Sequence, residues 1–148
     1  KHKFVWNQNL SILVLSIQMN NIVLFDGVCN LCNRSVDFII RNEKSDKLQF
    51  ASLQSDVGKS IVNKSGLDEI PDSVMLFVDG ELLVRSDAAL AISTYLKRPY
   101  VYGIIFKYVP KILRDSVYNL IAKNRYRWFG KKETCRVPSA DERERFLG

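Results

Sequence analysis

From Asn21 to Asp26 the chain reads Asn-Ile-Val-Leu-Phe-Asp, and its unbroken apolar run predicts a strand buried on both faces. Gly27 ends the run. From Leu31 the period changes: Val36, Ile39 and Ile40 share one helical face, while Arg34, Asp37 and Arg41 point outward. Leu48 to Leu53 predicts a second strand. Val57, Ile61 and Val62 mark a short helix, with Ser55 placed to cap it. Val74 to Val78 is another buried strand, and Asp79-Gly80 is a hairpin turn that returns Glu81 to Arg85 antiparallel. Ser86 or Asp87 then caps a helix whose apolar residues are Ala88, Ala89, Ile92 and Leu96. The predicted order is β-α-β-α-β-β-α.

Pro99 breaks the pattern, and Tyr100 to Val109, rich in aromatic and β-branched residues, fits no single period. Pro110 suits the first turn of a helix whose apolar face is Ile112, Leu113, Val117, Leu120 and Ile121. A basic-aromatic loop, Asn124 to Lys132, leads to Cys135, and Ser139-Ala-Asp-Glu142 is a capping box that starts a last short helix. The hairpin near the end of the order points to an α/β, thioredoxin-like three-layer sandwich, because a doubly wound sheet keeps alternating strands and helices. Residues 19–98 form that core, and residues 99–148 form a helical C-terminal extension packed on the same domain. Residues 1–18 are expected to be an upstream-translated or appended extension, since Met19 stands just before the opening strand.

The length of 148 residues favours one domain with a core that needs no disulfide staples. Three cysteines fit a secreted disulfide framework poorly and suit a reducing, cytoplasmic setting. No apolar stretch reaches the ~20 residues of a membrane span; Leu10 to Ile17 is interrupted by Ser11 and Ser16. The net charge of +6 is uneven: Lys97 to Arg136 holds 11 basic residues against Asp115 and Glu133. Such a segment is either a solvated helical surface or a face for phosphates or acidic partners.

Cys29 and Cys32 form a C-x-x-C at a strand-to-helix junction. Disulfide exchange needs a thiolate and a second thiol to resolve the mixed disulfide, and a helix start favours the negative charge. Cys29 is therefore expected to be an exposed, partly ionised nucleophile, with Cys32 more buried one turn below. Asp26 either serves as a base for Cys32 or caps the Gly27 turn and the helix start. Zinc is the main competing use of this spacing, but the further ligands would be only Cys135 and His2. Two inert core cysteines are the other alternative. An aspartate-based phosphatase would need an acid where Val28 stands.

The stretch Asp26-Gly27-Val28-Cys29-Asn30-Leu31-Cys32 resembles the signature of the DCC family of predicted thiol-disulfide oxidoreductases, and so do Asn124-Arg-Tyr-Arg-Trp-Phe-Gly130 and Cys135-Arg-Val-Pro138. The resemblance runs from Ile22 to Leu147. It implies a thioredoxin-like fold with disulfide oxidoreductase activity and Cys29 and Cys32 as the redox pair. Thioredoxins set a cis-proline beside their dithiol; counting back from Gly80 reaches Ser73, while Pro71 lies two residues earlier. Pro71 is expected to shape the loop beside the site, with Asp72 and Ser73 facing the sulfurs.

Gly27 and Asn30 are expected to support the dithiol. In the C-terminal motif, Trp128 and Phe129 are expected to anchor the segment on the core, and Arg127 or Arg136 to fold back onto a thiolate or an anionic substrate. Cys135 is a third redox thiol or a small buried hydrophobe. The expected function is an enzyme in which Cys29 attacks and Cys32 resolves, with a protein or small-thiol disulfide as substrate and no metal or organic cofactor. Nucleic acid is not the expected partner. The alternatives are a redox sensor, or a non-catalytic module whose basic C-terminal face binds nucleic acid or a protein.

Overall fold

The computed structural model describes residues 21–68, 74–131 and 137–147. Residues 1–18, Pro71, Asp72, Ser73, Cys135 and Arg136 lie outside them, so the expectations placed there have no structural counterpart. The chain runs β1 (Asn21–Phe25), α1 (Asn30–Asn42), β2 (Leu48–Ser52), α2 (Asp56–Ser65), β3 (Met75–Val78), β4 (Glu81–Leu83), α3 (Arg85–Ser93), a 3₁₀ helix (Tyr100–Tyr108) and α4 (Lys111–Phe129). It closes with a 3₁₀ turn (Arg143–Arg145) and β5 (Phe146–Leu147). The sheet order is β4-β3-β1-β2-β5, with β1 and β2 parallel and β3 antiparallel to both β1 and β4. This is the α/β, thioredoxin-like arrangement that the pattern predicts.

Strand alternation divides the core into two layers. Val23, Phe25, Leu48, Phe50 and Leu76 face one side, where Val36 and Ile39 of α1 and Ala88 and Ile92 of α3 cover them. Ile22, Leu24, Ala51 and Met75 face the other, under Ile61 and Val62 of α2. Burial on both faces explains why β1 is a continuous apolar run. Ser55 caps α2 by accepting the Gly58 N–H at 3.1 Å. A Cβ on Gly58 would stand 2.1 Å from the Ser52 carbonyl oxygen, so only glycine lets α2 lie this close to the end of β2.

Four expectations need correction. First, α3 begins at Arg85 behind an extended Val84, without a side-chain cap. Ser86 and Asp87 turn to α4 instead: Ser86 donates to Asp115, while Asp87 accepts from Lys111 at 2.8 Å and Arg114 at 3.2 Å. Second, the segment expected as a loop over Asn124 to Lys132 continues α4 through Phe129, because nothing in it breaks a helix before Gly130, whose φ is +82°. Third, the last short helix is a single 3₁₀ turn, since Phe146 enters the sheet edge beside β2 and stacks on Phe50 at 5.4 Å. Fourth, Trp128 does not anchor on the core but is 54% exposed, as α4 turns its 128 position to solvent. The apolar face of α4 is largely exposed, Ile112 most of all. No helix among the described residues is long and apolar enough to cross a membrane.

Candidate functional site

Cys29 is the N-cap of α1, with extended backbone (φ −82°, ψ 122°), and its Sγ accepts the backbone N–H of Cys32 at 3.5 Å. One of the otherwise unpaired N–H groups of a helix start, that of Cys32, is thus aimed at that sulfur. Asn33 fixes the turn from below: its Nδ2 donates to the Gly27 carbonyl at 2.9 Å and to the Cys29 carbonyl at 2.8 Å. The Gly27 N–H donates to Gln54 Oε1 at 3.1 Å. Both backbone groups of Gly27 are therefore tied to polar side chains.

Asp26 is buried at the end of β1. Its Oδ1 accepts the Val28 N–H at 3.1 Å and Gln54 Nε2 at 2.9 Å. Its Oδ2 accepts the Tyr126 hydroxyl and lies 3.6 Å from the Arg125 guanidinium. Burial pushes the carboxyl up, but the bonds from Tyr126, Gln54 and Val28 and the charge of Arg125 outweigh it, so the acid is held below its ordinary range. The Val28 contact is the turn-capping geometry. The same carboxylate anchors α4 to the start of α1.

The exposed Cys29 expected from the sequence is contradicted: its relative exposure is 0%, against 3% for Cys32. The end of α4 covers it. Lys131 forms a β-bridge with Cys29, Asn30 N–H donates to the Gly130 carbonyl at 3.3 Å, and Asn30 Nδ2 donates to the Phe129 carbonyl at 2.8 Å. Asn30 is thus a clasp on the covering segment. Cys32, expected to be the more hidden sulfur, lines an apolar cavity of about 440 Å³ between α1, α3 and α4. Burial pushes its thiol up, the adjoining Cys29 adds to this by hydrogen bond and by charge, and a backbone hydrogen bond from Asp26 opposes them; the thiol reaches about 12.

The structure brings Asp26, Gly27, Cys29, Asn30 and Cys32 together. Arg127 stays exposed on α4, away from them. Arg125 takes the place expected for Arg127: it is buried, donates to the Ala122 carbonyl at 2.8 Å and stacks on the Tyr126 ring at 4.3 Å. Reading residues 124–129 as helix would have found it, because Tyr118, Ile121, Ala122 and Arg125 repeat at i, i+3, i+4 and i+7 and line one cavity. Tyr126 is the second residue missed. Asn33 and Gln54 carry no pattern that marks them. Among the described residues, no three His, Cys, Asp or Glu side chains are grouped to hold a metal ion.

The sequence model of a family described as DCC1-like thiol-disulfide oxidoreductase matches residues 23–131, which span the dithiol, the cavity and the clasp. The uncharacterized protein YuxK of Bacillus subtilis (strain 168) is 46% identical over 129 residues, covering 86% of this chain and 94% of that protein. A DCC family protein of Arabidopsis thaliana, described as chloroplastic, is 37% identical over 120 residues, covering 78% of this chain and 69% of its own. No solved structure matches the chain significantly.

Proposed function

The chain belongs to the DCC1-like thiol-disulfide oxidoreductase family, and we propose that Cys29 and Cys32 are its redox centre, exchanging electrons with the disulfide of a protein or a small thiol. One observation carries the reading: two free thiols share the first turn of α1, with the Cys32 N–H directed at Cys29 Sγ. Cys29 is the sulfur that accepts a helix-start N–H, and Cys32 is the one that keeps its proton at neutral pH. In this reading Cys29 attacks a protein disulfide once the end of α4 lifts from it, and Cys32 resolves the mixed disulfide. Asp26, held as an anion, positions Tyr126 and Arg125 rather than shuttling a proton. The chemistry asks for no metal or organic cofactor, because the electrons reside in the sulfur–sulfur bond. Free thiols of this kind fit a reducing compartment such as the cytoplasm.

The test is equilibration of the full chain in glutathione buffers of graded redox poise, read by mass spectrometry of the peptide that holds both sulfurs. Reversible closure of a Cys29–Cys32 bond, absent in Cys29→Ser and in Cys32→Ser, is the expected result. If the pair stays reduced at every poise and reduces no small disulfide, the reading is wrong.

A further inference from the structure

We propose that the cavity between α1, α3 and α4 receives the apolar body of a small, carboxylate-bearing thiol or disulfide, and that such a substrate meets Cys32 rather than Cys29. The inference rests on the exchange chemistry proposed above and names a substrate class for it. A volume of about 440 Å³ suits a small organic molecule. The walls are apolar, with Ile39, Ile92, Leu96 and Ile121 among them, and Phe38 stands at the surface. Among the described residues that line the cavity, the charged ones are Arg34, which is exposed, and Arg125, which is paired on one side with Asp26. Two guanidiniums in the wall, that of Arg34 above all, favour an anion over a cation. A highly polar disulfide would have to bury amides and an ammonium group against hydrocarbon, which is costly without partners. Cys32 belongs to the cavity wall, whereas Cys29 lies outside it beneath residues 129–131.

The roles of the two sulfurs then exchange for this class of substrate. Cys32 attacks the nearer sulfur of the substrate disulfide; the substrate S–S bond breaks, and the departing thiolate takes the proton that Cys32 gives up. Cys29 attacks Cys32 Sγ, closing the Cys29–Cys32 bond and releasing the second substrate thiol, to which the Cys29 proton passes. The substrate disulfide is reduced by two electrons and the dithiol is oxidised by two. In reverse, a substrate thiolate attacks Cys32 and Cys29 leaves as a thiolate at the helix start.

The full-length Cys29→Ser variant tests the assignment. It is treated at mildly alkaline pH with 5,5′-dithiobis(2-nitrobenzoate), an aromatic carboxylate disulfide, and separately with cystamine, a small cationic one. Each rate is divided by that of free glutathione with the same reagent, and peptide mapping locates the adduct. The expected result is an adduct on Cys32 and a normalised preference of at least about tenfold for the aromatic carboxylate. Ala122→Leu and Ala89→Leu, which fill the cavity from two different helices, should each reduce that preference. Equal normalised rates, an adduct on Cys135 instead, or a preference that survives both fillings overturns the proposal. Failure of the exchange reading has another signature: the wild-type pair does not close in glutathione buffers, and the proposal falls with it.

Discussion

At the scale of single residues, the two acids around the dithiol respond to pH in opposite senses. Asp26 is held below its ordinary range, so its contribution to stability is present above that range and fades as the pH falls through the folded value. Cys32 is raised from an ordinary 9.0 to about 12, by burial first and by Cys29 second. Between those values the unfolded chain has lost the thiol proton while the folded chain keeps it. The stabilisation is therefore complete below pH 9.0 and is lost as the pH rises toward about 12. The urea midpoint of the reduced protein should fall from about pH 8 to about pH 10, and Cys32→Ser should flatten that decline. Tyr126, also raised to about 12 by burial and by its bond to Asp26, leaves a residual slope at the upper end. A decline unchanged in Cys32→Ser would show that another group controls it.

At the scale of elements, the decisive contact is between the start of α1 and the end of α4. Asn30 Nδ2 holds the Phe129 carbonyl at 2.8 Å, and Gly130 follows with φ +82°. Asn30→Ala removes one hydrogen bond, about 1 kcal/mol. Alkylation of Cys29 by iodoacetamide should then be about fivefold faster, read by peptide mass, because opening is easier by that amount. An unchanged rate would mean that Cys29 is reached by a path that leaves the clasp shut. Periodicity exposed β1, α1, β2, α2 and the Asp79-Gly80 hairpin, since each is a regular apolar pattern ended by a clear breaker. The same reasoning misjudged residues 124–129, because a run of cations and aromatics hides a helical face that only Arg125 and its i−3 and i−4 neighbours reveal. The Cys29–Cys32 pair was legible from its spacing together with its place between a strand and a helix, since the spacing by itself left zinc and inert cysteines open. Its accessibility was not, since the cover on Cys29 comes from backbone about a hundred residues away.

At the scale of the whole molecule, the C-terminal turn closes the sheet. Glu43, whose side chain has 0% exposure, accepts the Lys47 and Leu48 N–H groups at 2.7 and 2.8 Å and is paired with Arg145. Arg145 also donates to the Leu48 carbonyl at 3.1 Å, and Phe146 then lies beside β2. None of this was visible in the sequence, because a two-residue strand has no period and exists only where a free sheet edge receives it. Arg145→Ala leaves a buried carboxylate without its cation, which costs about 3–5 kcal/mol. The thermal midpoint should drop by roughly 10 °C, measured by far-UV circular dichroism. A shift of a degree or two would show that water or another cation takes over the charge.

The cover on Cys29 also bears on how long the protein survives in use. Peroxide converts an accessible thiolate through sulfenic to sulfinic acid, a change that thiols cannot repair, and susceptibility follows exposure. A sulfur with no accessible surface, sheltered by the backbone of residues 129–131, is attacked only in the moments when that shelter is open. Chemical ageing of the pair is thereby tied to the frequency of opening, and not to the amount of oxidant alone.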